Sequence, residues 1–339
     1  MQRFVLQPSL SRTLRLLALV TFLAVGSRAS AQDGAPVSAL QPAGPAAANI
    51  AQLWWVMFAL GMAVFILVTA ILLYTLLVRN RRRSVEDVQP ARGNRWLIYG
   101  GLVMPAIVLA IVAAFTLRSM VVLAQDEDAP LVIEAVGRMW WWEIRYPNHN
   151  VITANEFHIP VGYPVHFYLT SAEVIHSFWV PELNGKMDLI PGRTSILQIQ
   201  ADEPGVYRGI CAEYCGLQHA KMYFLLIAHP VEEFNQWLIA QQQPLDTTRL
   251  SESEQRGQQV FFEVGCATCH AISGTDAVSA FGPDLTHFAS RQTIGPAWLP
   301  NNRGNLAGWV VNAQSIKPGS LMPPMDIPAE DLPPLLDYL

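Results

Sequence analysis

Two long runs of the chain carry no charged residue. "LWWVMFALGMAVFILVTAILLYTLLV", Leu53 to Val78, and "WLIYGGLVMPAIVLAIVAAFTL", Trp96 to Leu117, are each long enough to cross a bilayer as a helix. They flank "RNRRRSVEDVQPARGNR", which holds six arginines. A buried hairpin of a large soluble protein has no use for such a link. A two-span anchor with its arginine loop in the cytoplasm does, and both ends of the chain then lie on the outer side. A shorter run, "LLALVTFLAVG", follows Arg3, Arg12 and Arg15 and precedes "SRASAQ", with Ala29 and Ala31 in the small-residue cleavage pattern. This predicts a secretory signal removed near Ala31 rather than a further span.

Beyond the second run the period changes. "LVIEAV", "WWWEIRY", "VITANEFHI", "VHFYLTS", "TSILQIQ" and "MYFLLIAH" are short and rich in β-branched and aromatic residues, and "IPGR" and "DEPG" supply turns between them. From Leu131 to about Pro230 this predicts an all-β sandwich or small barrel. "EEFNQWLIAQQQPLDTT" predicts a helix entering a polar linker, and from about Ser251 the chain is helical and loop-rich.

Composition agrees with an exported, membrane-anchored protein. Hydrophobic residues make up 51% of the 339 and charged residues 14%. The net charge of −5 argues against nucleic-acid binding and leaves room for a basic protein partner.

The chemistry lies in four cysteines. "CAEYCGLQHAKM" carries Cys211 and Cys215 with His219 and Met222 directly behind them. An exported compartment favours disulfides. A disulfide, however, needs neither the histidine nor the methionine, whereas thiolate, thioether and imidazole together form a copper ligand set. Zinc rarely takes methionine. His176, in "EVIHSFWVPEL", is placed at a strand end where a barrel can bring it beside the cysteine loop. His149, His158, His166 and His229 have no such companions and read as ordinary strand or loop histidines. "GCATCHAI" holds Cys266, Cys269 and His270 as C-x-x-C-H, the covalent c-type haem signature. "GPDL" at 282–285 can offer a loop carbonyl to fix the histidine tautomer. "KPGSLMPPM" offers Met322 or Met325 as the second axial ligand. All four cysteines are thereby used.

"HSFWVPELNGKMDLIPGR" together with "CAEYCGLQHAKM" resembles subunit II of the haem–copper cytochrome c oxidases, over residues 50 to 230. Residues 251–339 resemble the small class I cytochromes c. The pair resembles the caa3-type arrangement. The resemblance implies a multi-domain membrane protein: a two-helix transmembrane hairpin, an all-β cupredoxin-like barrel, then an all-α class I cytochrome c domain. The boundaries it implies are 1–31 for the signal peptide, 32–122 for the N-terminal segment and hairpin, 123–240 for the barrel, 241–250 for the linker and 251–339 for the cytochrome domain.

It also implies the binuclear CuA centre. Cys211 and Cys215 would bridge both coppers, His176 and Met222 would complete one, and His219 with the backbone carbonyl of Glu213 would complete the other. The Glu213 carboxylate would help hold magnesium against the catalytic subunit. Cys266 and Cys269 would carry haem c, with His270 and, on the family pattern, Met322 on the iron. Trp140 falls where the family has its electron-entry tryptophan; strand periodicity alone reads Trp140, Trp141 and Trp142 as strand aromatics. Lys186, Asp188 and Arg193 match positions facing the catalytic subunit I.

The implied function is that of an oxidase subunit. Electrons from cytochrome c or a similar donor would pass by haem c and CuA to the catalytic subunit, which reduces dioxygen to water and pumps protons. Haem and copper domains would form a wire, the tether keeping the haem at high effective concentration near the copper, on the outer face of a bacterial cytoplasmic membrane beside the other oxidase subunits. Many family members carry a glutamate near the start of the second span; "NRWLIYGGLVMP" has none, so proton uptake begins elsewhere. A CuA-bearing nitric oxide reductase and a membrane-anchored copper chaperone are the alternatives. The chaperone lacks the adjacent His/Met pair and needs a βαβ pattern. A quinol oxidase subunit II shares anchor and barrel but not the copper ligands.

Overall fold

The computed structural model describes residues 38–79, 90–124 and 129–339. The expected signal peptide, and the middle of the arginine-rich link, lie outside the described residues. Helix α1, Pro45–Tyr74, continues as a wider π-turn over Thr75–Arg79. The second span is α2, Pro90–Ile98, a π-turn over Tyr99–Val103, and α3, Met104–Leu123. The two apolar stretches, Pro45–Val78 and Asn94–Leu123, extend past the uncharged runs, and almost none of their surface is buried by protein. Helices that are apolar all round and uncovered suit a lipid environment. At their outer ends the Ser119 hydroxyl donates to the Asn49 side-chain oxygen. The chain entering α1 is held by the β domain: Ala43 N donates to Glu182 O at 2.7 Å, and Asp202 N donates to Ala43 O at 2.8 Å.

The β domain is two five-stranded sheets. One has the order β3-β2-β1-β5-β8, built from β1 Leu131–Arg138, β2 Trp141–Tyr146, β3 Val151–Ala154, β5 Val165–Ser171 and β8 Ser195–Ile199. The other has the order β4-β10-β9-β6-β7, built from β4 Glu156–Pro160, β10 Tyr223–His229, β9 Gly205–Cys211, β6 His176–Trp179 and β7 Met187–Leu189. Strands β1 and β5 alternate buried and half-buried positions, as period-2 patterning requires when one face meets the core. Between the sheets Trp142, Phe157, Phe167, Phe178 and Phe224 form one aromatic cluster, with Phe178 and Phe224 at 4.4 Å between ring centres. This is a cupredoxin-like fold. Helix α4, Val231–Gln241, closes one side with Phe234 and Leu238.

The C-terminal domain is helical. Ser251 caps α5, Glu252–Glu263, in a reciprocal box with Glu254. Helix α7, Leu332–Tyr338, crosses α5 at Gly257, where a Cβ would lie 2.1 Å from the Pro334 carbonyl. Helix α6, Arg303–Ile316, completes the wall.

The linker joins two domains that are also in direct contact. Barrel and helical domain are packed together through buried polar contacts. Glu156 accepts hydrogen bonds from Gln292 and Thr293, and the Gln218 amide donates to the carbonyls of Lys317 and Pro318. Tyr223 stacks parallel to Trp298 at 6.5 Å, and Lys221 Nζ lies 5.3 Å from the same ring. A linker's polar composition reports that it can be solvated; it carries no information about whether the domains it joins dock.

Candidate redox centres

Strand pairing assembles the first site. Phe178 of β6 faces Cys211 of β9, which brings His176, at the head of β6, beside the end of β9. The loop from Cys211 to Met222 is closed by Cys211 N donating to Met222 O at 3.0 Å and tied to β6 by Ala212 N donating to Ser177 O at 2.9 Å. The side chains then converge. Cys211 Sγ and Cys215 Sγ are 3.8 Å apart. His176 Nδ1 is 3.8 Å from Cys211 Sγ, His219 Nδ1 is 3.8 Å from Cys215 Sγ, and Met222 Sδ is 3.8 Å from Cys215 Sγ. The Glu213 carbonyl lies 3.2 Å from Cys211 Sγ.

These distances decide between disulfide and metal. A disulfide needs sulfurs about 2.05 Å apart. A sulfur at about 2.3 Å and a nitrogen at about 2.0 Å, sharing one ion tetrahedrally, sit roughly 3.5 Å from each other. His176, Cys211 and Cys215 are all buried, with their donor atoms within 4.8 Å of one another. The buried donor set is soft, as copper favours. The Cys211 thiol is pushed down to about 3, first because the Cys215 thiol hydrogen-bonds to its thiolate and also because His176 and backbone groups support the charge. Cys215 is pushed up by the same shared proton. Behind His176 the ring of Trp142 packs at 6.1 Å, and Gly137 of β1 leaves the room: a Cβ there would lie 2.8 Å from His176 Cδ2.

The second site is a crevice of about 410 Å³, within the range of ligand cavities of roughly 300–1,000 Å³. Cys266, Cys269 and His270 line one wall; Met322 and Met325 both line it as well. His270 Nδ1 lies 2.8 Å from the Pro283 carbonyl. An oxygen acceptor there requires Nδ1 to carry the proton, which leaves Nε2 as the lone pair for a metal. The expected loop carbonyl is thus supplied by Pro283. Burial lowers the His270 pKa, with the Pro283 bond opposing. Burial also raises the Cys266 thiol to about 11. A thiol consumed in a thioether bond has no need of a low pKa. Arg291, buried in the crevice wall, keeps Nε without a hydrogen-bond partner among the described residues, a donor suited to an anionic edge of the group the crevice takes. A large apolar cavity, a C-x-x-C pair, a tautomer-fixed histidine and a buried guanidinium N–H with no partner among the described residues fit a haem.

Five barrel residues complete the same crevice: Met139, Trp140, Trp141, Asn155 and Gln218. Trp140 and Trp141 are half-buried there, while Trp142 is fully buried in the aromatic core. Trp140 Nε1 donates to the Cys215 carbonyl at 2.8 Å. Lys186, Asp188, Arg193 and Glu213 are exposed on the barrel. Two histidines read as unpartnered are a pair: His158 Nδ1 and His229 Nε2 lie 2.8 Å apart, with His158 stacked on Trp237 at 4.0 Å. Asn155, Glu156, Gln218, Arg291 and Lys317 were invisible as site residues in the sequence. Their roles come from contacts between domains, which leave no local spacing to read.

A membrane-anchored cupredoxin-like domain fused to a cytochrome c domain is a respiratory redox subunit by fold and by site. The family models agree: "Cytochrome C oxidase subunit II, periplasmic domain" matches residues 150–228 and "Cytochrome c" matches 254–339. Cytochrome c oxidase subunit 2 of Alkalihalophilus pseudofirmus is 36% identical over 312 residues, 89% of this chain and 90% of that protein. Cytochrome c oxidase subunit 2 of Bacillus subtilis is 31% identical, covering 92% of this chain and 91% of that one. Quinol oxidase subunit 2 of Bacillus spizizenii is 30% identical over 67% of this chain and 72% of that one. The chain belongs to the cytochrome c oxidase subunit II family, a component of the haem–copper oxidases, and works alongside other oxidase subunits.

Proposed function

We propose that this chain takes electrons from a reduced donor such as cytochrome c and relays them, through a haem site and a binuclear copper site, to a catalytic subunit that reduces dioxygen and pumps protons. When bound, haem c and the paired coppers supply one-electron redox chemistry. The chain's own residues do the rest. Cys266 and Cys269 would anchor the haem, His270 and Met322 would supply donors to its iron, and Pro283 accepts from His270 Nδ1 and so keeps the histidine proton there. Cys211 and Cys215 would hold two coppers, with His176, Met222, His219 and the Glu213 carbonyl supplying the remaining donors. A rigid barrel loop limits reorganisation when charge arrives. The exposed Glu213 carboxylate, with Lys186, Asp188 and Arg193, faces the catalytic subunit, where Glu213 helps hold magnesium. Both domains lie on the outer face of the cytoplasmic membrane.

One observation carries this reading: Trp140 lines the haem crevice and also donates to the Cys215 carbonyl, so a single side chain spans from one site to the other. The buried soft donor set argues against a quinol oxidase subunit, which has no use for it. The test is a metal count with electron-paramagnetic and optical spectra on the purified full chain. Two coppers and one iron per chain, a delocalised mixed-valence copper signal and c-haem bands support it. One copper with a localised signal supports a chaperone instead.

A further inference from the structure

We infer that Glu156 is a positioning residue for electron transfer between the two sites, clamping the cytochrome domain so that its haem crevice opens on Trp140. This rests on the relay proposed above. Glu156 begins β4 of the barrel and is only 2% exposed. A buried carboxylate is costly unless its oxygens are satisfied. Its three donors all come from the other domain: Thr293 N at 2.8 Å and Thr293 Oγ1 at 2.7 Å reach Oε1, and Gln292 N at 3.0 Å reaches Oε2. Two of them are backbone amides, so the clamp fixes the main chain and not merely a side chain. Charge-assisted bonds of this kind are about twice as strong as neutral ones.

The location gives the clamp its consequence. Thr293 and Ile294 line the crevice on the cytochrome side, and Asn155, the residue before Glu156, lines it on the barrel side. Asn155 Oδ1 accepts from Trp142 N, two residues beyond Trp140. The carboxylate therefore joins the two crevice walls across a single side chain. On another part of the rim the Gln218 amide holds the Lys317 and Pro318 carbonyls, and Gln218 is sequence-adjacent to His219. Of the two ties, only the Glu156 one has a carboxylate as its acceptor, and that side chain is itself buried. Loosening it swings the haem wall away from Trp140 without touching any residue assigned to either metal.

The experiment uses the full chain with both sites loaded, as Glu156→Ala, Glu156→Gln and, from the opposite side, Thr293→Val. Two quantities are read: amide hydrogen exchange at Gln292 and Thr293, and the rate of haem-to-copper transfer after flash reduction of the haem. Glu156→Ala is expected to expose both amides and slow the transfer by at least about tenfold. Glu156→Gln and Thr293→Val are expected to give smaller losses in the same direction, with haem and copper spectra unchanged in the two Glu156 variants. A transfer rate within about twofold of wild type in Glu156→Ala overturns the positioning role. Should that variant fail to accumulate, unchanged rates in both Glu156→Gln and Thr293→Val overturn it equally. A wild-type chain that holds both metals yet shows no transfer sinks the relay itself, while exchange at the two amides still reports whether the clamp exists.

Discussion

The copper loop and the haem crevice solve different problems. At the copper loop the protein alone gathers the donors: His176, Cys211, Cys215 and Met222 are buried, and each is 3.8 Å from the next in that order. The crevice is the reverse. Its walls stand apart around about 410 Å³, and they come from two domains. A small ion can be held by side chains that pack against one another. A macrocycle must be packed against, so its site is an absence of side chains with a few polar fixtures. The first site is therefore robust to loss of the metal and sensitive to the barrel; the second depends on docking and on the group that fills it.

The largest effect should come from Cys215→Ser. It removes a sulfur that the proposed binuclear site would share between two coppers, and the loss in oxidase activity should exceed the roughly 10–100-fold that outer-shell changes cost. Copper content should collapse while c-haem bands stay; retention of two coppers would show that the loop does not bridge them. Next is the haem side. Met322→Ala should abolish the methionine–iron signature and lower the haem potential, whereas Met325→Ala should keep both. The opposite result exchanges the two residues, since both line the crevice.

Gly137→Ala tests whether the barrel preforms the copper site. The added Cβ collides with His176 Cδ2, and copper affinity should fall by about 10–100-fold with the haem site untouched. Trp140→Phe keeps a ring in the crevice but loses the bond to Cys215 O. Haem-to-copper transfer should slow by about tenfold at unchanged metal content.

The smallest expected effect is at Lys317, whose burial pushes its amine down to about 7 from an ordinary 10.5, with Lys221 adding to the shift. The folded pKa lies below the unfolded one, so the unfolded chain binds the proton more tightly. Stability should rise as pH climbs from about 7 to about 10.5, and Lys317→Met should flatten that slope in thermal melts. Parallel slopes in the two proteins would place the lysine in water.

What the sequence disclosed follows the same division. The spans, the β domain and the helical tail were legible because each imposes its own period on the chain. The candidate copper side chains were legible because Cys211, Cys215, His219 and Met222 fall within twelve residues, and His176 sits in a strand whose pairing could be anticipated. In the haem domain C-x-x-C-H, the GPDL loop and the Met-Pro loop could be read. The barrel's share of the crevice, and the Glu156 clamp behind it, bring together residues more than 130 positions apart. Such contacts depend on the docking of two finished folds, and no periodicity or spacing encodes that. The pairing of His158 with His229 escaped for the same reason: β4 and β10 are neighbours only once the sheet has formed.

The most direct test of the two-site relay is flash reduction of the haem in the metal-loaded full chain, with haem and copper absorbance followed together and no external acceptor present. Haem re-oxidation should proceed at the same rate as copper reduction, and that rate should not vary with protein concentration. A haem that stays reduced beside oxidised copper, or transfers only at a concentration-dependent rate, would contradict a relay within one chain.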